Sequence, residues 1–309
     1  MDALKVLDLT KKFGPKHNPF VAVNRISFSL KEGEILGFLG RNGAGKTTTI
    51  QMLLGIMTPT SGEIYYFDQD FKTNREQIME HVNFSSTYTN LPWDLTVHEN
   101  LTFISYLYQI KDRKNRIRKI VENFKIEKLV NQKLSELSTG QLTRVNLAKA
   151  FINYPKVLLL DEPTASLDPE VATYIRNFLL EERKKFHVSI LLTSHNMREV
   201  EEVCDRVIFI DQGKIIADNS PLVLAKSIEI SHINFLIRDG LKRLKKYVNT
   251  HHLASETEGR YFTVNIKEKE IASFLKEIAS LGVVYDEVSI DKPDLEDYFL
   301  QKIKTGGIR

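Results

Sequence analysis

The chain has 309 residues, long enough for about two domains. Hydrophobic residues make up 42% and charged residues 27%, which excludes a largely disordered chain. Lys and Arg number 43 against 40 Asp and Glu, and a surplus of +3 is too small to mark a nucleic-acid binder.

Met1 to Thr10 carries Asp2 and Asp8 and no apolar run with a cleavage site, so no secretory signal is expected. Leu4 to Leu9 and Ile26 to Leu30 alternate apolar and polar residues, which predicts two half-buried strands. The turn-rich loop Gly14-Pro15-Lys16-His17-Asn18-Pro19 lies between them. Glu34 to Leu39 is a short apolar run that predicts a buried strand, followed by a glycine-rich turn and a helix over about Lys46 to Leu54.

From Val97 to Ala150 the pattern is helical, with apolar positions such as Leu101, Ile104, Tyr108, Ile117, Ile120 and Phe124. Within it Lys111 to Lys119 is the most basic run. It reads as a solvated helix face or as a contact for anionic headgroups or an acidic membrane partner. No aromatic residues interleave with these charges, so nucleic acid is not expected as a partner.

Lys156 to Leu160 and Val188 to Thr193 predict two more buried strands, separated by a helix over Glu170 to Lys185. Strands alternating with helices predict a parallel sheet covered by helices. Apolar runs such as Val157 to Leu160 fall far short of the roughly 20 residues of a bilayer span, so the chain is not expected to cross a membrane by itself. Cys204 is the single cysteine, which excludes an internal disulfide framework and suits a reducing cytoplasm. Arg206 to Ile210 and Lys214 to Ala217, joined by Asp211-Gln212-Gly213, predict a hairpin.

Ser220-Pro221 divides residues 1–220 from residues 221–309. Beyond it, strands are expected over Glu229–Ile237, Arg260–Ile266 and Val283–Ile290, and helices over Asp239–Lys246 and Lys269–Leu281. Such an order predicts a small α+β domain.

The strongest chemical signal is Gly40-Arg41-Asn42-Gly43-Ala44-Gly45-Lys46-Thr47, a G-x-x-x-x-G-K-[ST] run placed after a buried strand and opening a helix. Glycines let the backbone curl so that successive N–H groups face phosphates, and the helix start adds its positive dipole end. Lys46 would reach the β- and γ-phosphates, the Thr47 hydroxyl would coordinate Mg²⁺, and Asn42, Gly43, Ala44, Gly45 and Thr48 would complete the cradle for ATP.

The second signal is Val157-Leu158-Leu159-Leu160-Asp161-Glu162, a run that ends in two carboxylates at a strand's C-terminal edge, where open α/β sheets bind ligands. Asp161 would hold Mg²⁺ through its water shell, and Glu162 would orient or deprotonate an attacking water.

Leu137-Ser138-Thr139-Gly140-Gln141 resembles the LSGGQ signature of the ATP-binding cassette (ABC) family, with Thr139 in place of the first glycine. Ser138 is also a good helix N-cap. The resemblance covers roughly residues 3 to 220. It implies a P-loop (RecA-like) parallel sheet core with antiparallel β and helical subdomains, beside the small C-terminal α+β domain. In the family two cassettes pack head to tail, so Ser138, Gly140 and Gln141 would meet the γ-phosphate held by a partner's P-loop.

Ser166-Leu167-Asp168 is similar to the family's D-loop, which links the two sites through Asp168. Thr193-Ser194-His195 is similar to the switch-histidine segment, which assigns His195 to the γ-phosphate. Phe13 matches the aromatic residue that stacks on adenine. One position departs from the pattern. Counting back from Leu95-Thr96-Val97-His98-Glu99-Asn100-Leu101, the family's glutamine position is occupied by Thr87, whose single hydroxyl on a shorter arm weakens metal contact and coupling there.

Asp294-Leu295-Glu296-Asp297-Tyr298-Phe299-Leu300 resembles the L-E-D-x-F ending of ATPase subunits in ABC-2-type exporters, and Met197 to Val207 also resembles that group. These likenesses imply a cytoplasmic ATPase subunit that dimerises on ATP, as a homodimer or with a paired cassette subunit. It would lie on the inner face of the membrane through an integral-membrane permease subunit. Two other readings stay open: a soluble cassette ATPase acting on ribosomes or DNA, and a weakly hydrolysing regulatory subunit.

Overall fold

The computed structural model describes every residue except 16, 87–90, 166 and 307–309, with the backbone alone for 303–306. The chain divides into two compact units at Ser220 and Pro221.

In the first unit, β1 (Asp2–Phe13) and β2 (Phe20–Lys31) form an antiparallel pair. Their alternating side chains bury Leu4, Val6, Leu9, Ile26, Phe28 and Leu30 on one face. After β3 (Ile35–Leu39) and α1 (Lys46–Leu53) come β4 (Ser61–Tyr66) and β5 (Gln69–Asp70), which extend this sheet in the order β2-β1-β4-β5. Tyr66 is fully buried and its hydroxyl donates to the Leu53 carbonyl at 3.0 Å, fastening the sheet to the end of α1.

Next are α2 (Arg75–Met79), β6 (Val82–Ser86), α3 (Val97–Ser105), α4 (Arg113–Asn123), α5 (Thr139–Ala150), β7 (Val157–Asp161), α6 (Pro169–Phe186), β8 (Ser189–Thr193), α7 (Met197–Val203), β9 (Arg206–Asp211) and β10 (Lys214–Asn219). The central sheet runs β10-β9-β3-β8-β7-β6, parallel throughout except for β10. Every residue of β3, β7 and β8 is buried, as expected of parallel strands covered on both faces. These are the strands whose C-terminal ends carry the glycine-rich loop, Asp161-Glu162 and Ser194-His195.

The helices α3 to α5 rest on specific anchors. Thr96 and Glu99 close a capping box on α3, and Ser138 and Gln141 close one on α5. Phe124, Phe151 and Phe178 pack as a triad with ring centroids 4.6–5.7 Å apart, joining α4, the end of α5 and α6. The solvated face expected of Lys111 to Lys119 is corrected at Arg116. Arg116 is buried, donating to the Ile152 carbonyl at 3.1 Å and to the Phe151 carbonyl, so it caps the end of α5 instead of facing a membrane.

The second unit contains α8 (Pro221–Lys226), β11 (Ile230–Asp239), α9 (Leu241–Thr250), β12 (Ser255–Glu258), β13 (Tyr261–Lys267), α10 (Ile271–Ser280), β14 (Val284–Asp291) and α11 (Leu295–Gly306). The expected helix over Asp239–Lys246 starts at Leu241 instead, because Asp239 still pairs with Val284 in the sheet. The antiparallel order β12-β13-β11-β14 is that of a split β-α-β unit. Its core is Ile233, Phe235, Ile237, Leu244, Val248, Phe262, Val264, Phe274 and Ile278. His232 Nδ1 lies 2.7 Å from Asn265 Oδ1 and its Nε2 lies 3.0 Å from Asp297 Oδ1, which ties β11 to β13 and α11. Among the described residues, no helix is long and apolar enough to cross a membrane.

Candidate active site

The glycine-rich loop leaves β3 and enters α1 through tight backbone contacts. A Cβ on Gly40 would fall 2.2 Å from the Ile210 carbonyl oxygen. Gly45 caps α1 at φ 110°, and a Cβ there would lie 2.6 Å from the Ala22 carbonyl oxygen. Both positions need glycine, one for close approach and the other also for its left-handed conformation. Ala44 is buried beneath the loop. Lys46 folds over it, its Nζ donating to the Gly40 carbonyl at 2.6 Å and the Arg41 carbonyl at 3.2 Å. Burial pushes the Lys46 ammonium below its usual range, while the Glu162 and Asp161 carboxylates oppose that fall.

The ends of β7 and β8 are braced together. Thr193 Oγ1 donates to Asp161 Oδ1 at 2.5 Å, and the Glu162 N–H donates to the Thr193 carbonyl at 3.1 Å. Glu162 adopts φ 55°, a left-handed conformation uncommon outside glycine, at the point where the strand turns. Its Oε2 lies 2.7 Å from His195 Nδ1 and accepts the His195 backbone N–H at 3.3 Å. The Glu162 side chain is 22% exposed and that of His195 is 77% exposed, so the pair stands at the rim with the carboxylate inward.

These groups share one cleft of about 820 Å³. Phe13, Asn42, Gly43, Gly45, Lys46, Thr47, Thr48, Asp161, Glu162 and His195 all line it. Phe20, Ala22, Arg41, Thr139 and Ala165 line it as well, and sequence reasoning does not single them out as site residues. Phe20 stands directly opposite Phe13 in the β1–β2 register, and both aromatics are exposed. Gly40 and Ala44, also expected in the site, do not line the cleft.

Ser138, Gly140, Gln141 and Asp168 do not line this cleft. Ser138 Oγ accepts the Gln141 N–H at 3.3 Å, Gln141 Oε1 accepts the Ser138 N–H at 2.9 Å, and Asp168 is the N-cap residue of α6. A Cβ on Gly140 would meet only Leu167 Cδ2, at 3.6 Å. Thr87 and Ser166 lie outside the described residues.

The arrangement brings a glycine-rich backbone cradle, an ammonium and a carboxylate–imidazole pair to one cleft. The cradle fits a polyphosphate. Thr47 and Asp161 offer hard oxygen donors of the kind Mg²⁺ takes. Among the described residues no cluster of three His, Cys, Asp or Glu competes for a metal.

Residues 23–165 match the family model described as ABC transporter. Over 308 residues the chain is 30% identical to the bacitracin transport ATP-binding protein BcrA of Bacillus licheniformis, covering 99% of this chain and 98% of that one. The chain belongs to the ABC transporter family. Another ABC relative, Nod factor export ATP-binding protein I of Burkholderia orbicola, is 37% identical over 225 residues, 71% of each chain. Among solved ABC structures, cbiO1 from Clostridium perfringens, described as part of the ABC transporter complex cbiONQ, superposes with a TM-score of 0.64 at 26% identity. That match covers 81% of this chain and 95% of cbiO1.

Proposed function

We propose that this chain is the ATP-binding and ATP-hydrolysing subunit of an ABC exporter, driving a separate integral-membrane permease. The observation that carries the reading is the meeting of Lys46, Asp161, Glu162 and His195 in one cleft at the C-terminal ends of β3, β7 and β8. Lys46 and the loop N–H groups hold the phosphates. Phe13 and Phe20 offer exposed aromatic surface for adenine. Glu162 accepts a proton from the attacking water, and His195 orients that carboxylate and contacts the γ-phosphate. Thr47 and, through a water, Asp161 are the residues that would hold Mg²⁺. When bound, the ion neutralises charge on the β- and γ-phosphates. Thr87 stands where the family has glutamine, so less side-chain reach toward the metal is available there.

Ser138, Gly140, Gln141 and Asp168 lie off this cleft and serve the ATP bound by a second cassette, either another copy or a paired subunit. The start of α5 is suited to that role, because the backbone N–H groups of its first turn favour an anion. The subunit works on the cytoplasmic face of the membrane, held there by the permease. Near full-length similarity to a transport ATP-binding protein, C-terminal unit included, favours this reading over a cassette acting on ribosomes or DNA.

Membrane vesicles carrying this chain together with a partner permease test the proposal. They should extrude cargo when given ATP, and vesicles carrying Glu162→Gln should not. Equal ATP-independent extrusion by both would reject it.

A further inference from the structure

Glu199 on α7 is 3% exposed and has no role in the reading above. It sits among the buried apolar residues Met197, Val200 and Val203 of the same short helix. Both its oxygens are taken by neutral hydroxyls. Thr164 Oγ1 donates to Oε1 at 2.5 Å, and Ser194 Oγ donates to Oε2 at 2.9 Å. Burying a carboxylate without a cation is costly, and a position that served only packing would be better filled by an apolar side chain. Two charge-assisted hydrogen bonds offset that cost, and they bind two loops far apart in sequence.

Those loops are the ones that carry the hydrolytic pair. Ser194 immediately precedes His195, and Thr164 is two residues beyond Glu162. The contacts close a ring. It runs from Glu162 Oε2 to His195 Nδ1, back along the chain to Ser194, across to Glu199, across again to Thr164, and through Pro163 to Glu162. Glu199 is itself anchored, since its N–H donates to Asn196 Oδ1 at 3.3 Å while the Asn196 N–H donates to Ser194 Oγ at 3.1 Å. The His195 ring at the rim thus stands on a polar knot whose centre, Ser194 and Glu199, is buried. The left-handed φ of 55° at Glu162 lies within the same ring, a conformation that persists when its surroundings fix it.

We infer that Glu199 is a positioning residue for ATP hydrolysis: its carboxylate holds the His195 loop and the loop after Glu162 in the relative placement that keeps His195 and Glu162 in contact. This inference rests on the proposed hydrolytic roles of Glu162 and His195.

Single-turnover rate, ATP affinity and melting temperature, measured for the purified full chain and its variants, test it. Glu199→Ala should slow turnover by about tenfold to a hundredfold with ATP affinity unchanged, the loss expected when a reacting group is displaced by about 1 Å. Glu199→Gln should recover part of the rate, because its carbonyl oxygen still accepts from one hydroxyl. In a His195→Ala background, Glu199→Ala should slow turnover by less than about twofold more, since a residue acting through His195 has little left to act on. Full activity in folded Glu199→Ala, or losses that multiply undiminished in the double variant, would overturn the inference. If Glu199→Ala does not fold, Thr164→Val and Ser194→Ala each remove one arm of the clamp. Both should slow turnover without adding to His195→Ala, and normal rates in both would again overturn it. Inactive Glu162→Gln beside fully active Glu199→Ala rejects only the positioning role. A wild-type chain without ATPase activity, or a fully active Glu162→Gln, rejects the hydrolytic reading and the inference with it.

Discussion

His195 Nδ1 lies 2.7 Å from Glu162 Oε2, so residues just beyond the ends of two neighbouring parallel strands touch directly at the rim of the cleft. The His195 backbone N–H donates to the same carboxylate oxygen at 3.3 Å, so ring and backbone both meet Glu162. Four expectations follow from this geometry and from the rest of the fold.

Lys46 donates to two loop carbonyls and lines the cleft. Lys46→Ala removes the charge that neutralises β- and γ-phosphates, so ATP affinity should fall by at least about tenfold, or roughly 1.4 kcal/mol. Fluorescent-nucleotide titration measures this, and unchanged affinity would contradict the phosphate role of the loop.

Ser138 caps α5 outside its own chain's cleft. Ser138→Arg should leave ATP binding by the monomer nearly intact, apart from a lost cap worth about 1 kcal/mol of stability. Dimerisation and turnover should collapse, because a bulky cation stands where the partner's γ-phosphate would dock. Mixing Lys46→Ala chains with Ser138→Arg chains gives heterodimers with one site carrying both lesions and one carrying neither, so activity should return. Normal dimerisation and hydrolysis by Ser138→Arg alone would reduce residues 137–141 to a helix cap.

These expectations rest on parts of the sequence that speak plainly, and other parts do not. The runs Ile35–Leu39, Val157–Asp161 and Ser189–Thr193 are legible because strands buried on both faces leave continuous apolar stretches. The strand β6 is not, since it buries Asn83, Ser85 and Ser86. Hydropathy is blind to a strand satisfied by contacts such as Asn83 Nδ2 donating to Asn153 Oδ1 at 2.8 Å. Arg116 and Lys149 mislead in the same way. Both are cations that go inward to carbonyls, Lys149 reaching that of Phe84 at 2.7 Å, and burial pushes the Lys149 ammonium down to about 8. Within the site, the glycine-rich loop and the Asp161-Glu162 pair are local patterns. Thr193 and Glu199 act through contacts more than 30 residues away, and Phe20 depends on the register of two strands.

The C-terminal unit should respond to pH through His232. Burial alone would lower this imidazole, but Asn265 and Asp297, helped by the charge of Asp294, hold it above its ordinary value. A group raised on folding contributes stability that is fully present below its unfolded value, about 6.5, and is lost as pH rises through the folded value. Asp297→Asn should therefore lower the melting temperature more at about pH 6 than at about pH 8.5, by the same linkage. An equal effect at both pH values would mean the His232–Asp297 contact carries no charge.

The most direct test of the hydrolytic site is Glu162→Gln, assayed for both ATP binding and ATP turnover in the purified chain. The amide keeps the shape of the side chain at the end of β7 but cannot accept a proton from water. ATP binding should be retained, turnover should be almost abolished, and the ATP-bound dimer should persist. Near-normal hydrolysis by Glu162→Gln would contradict the assignment of the carboxylate that touches His195 as the group that activates water.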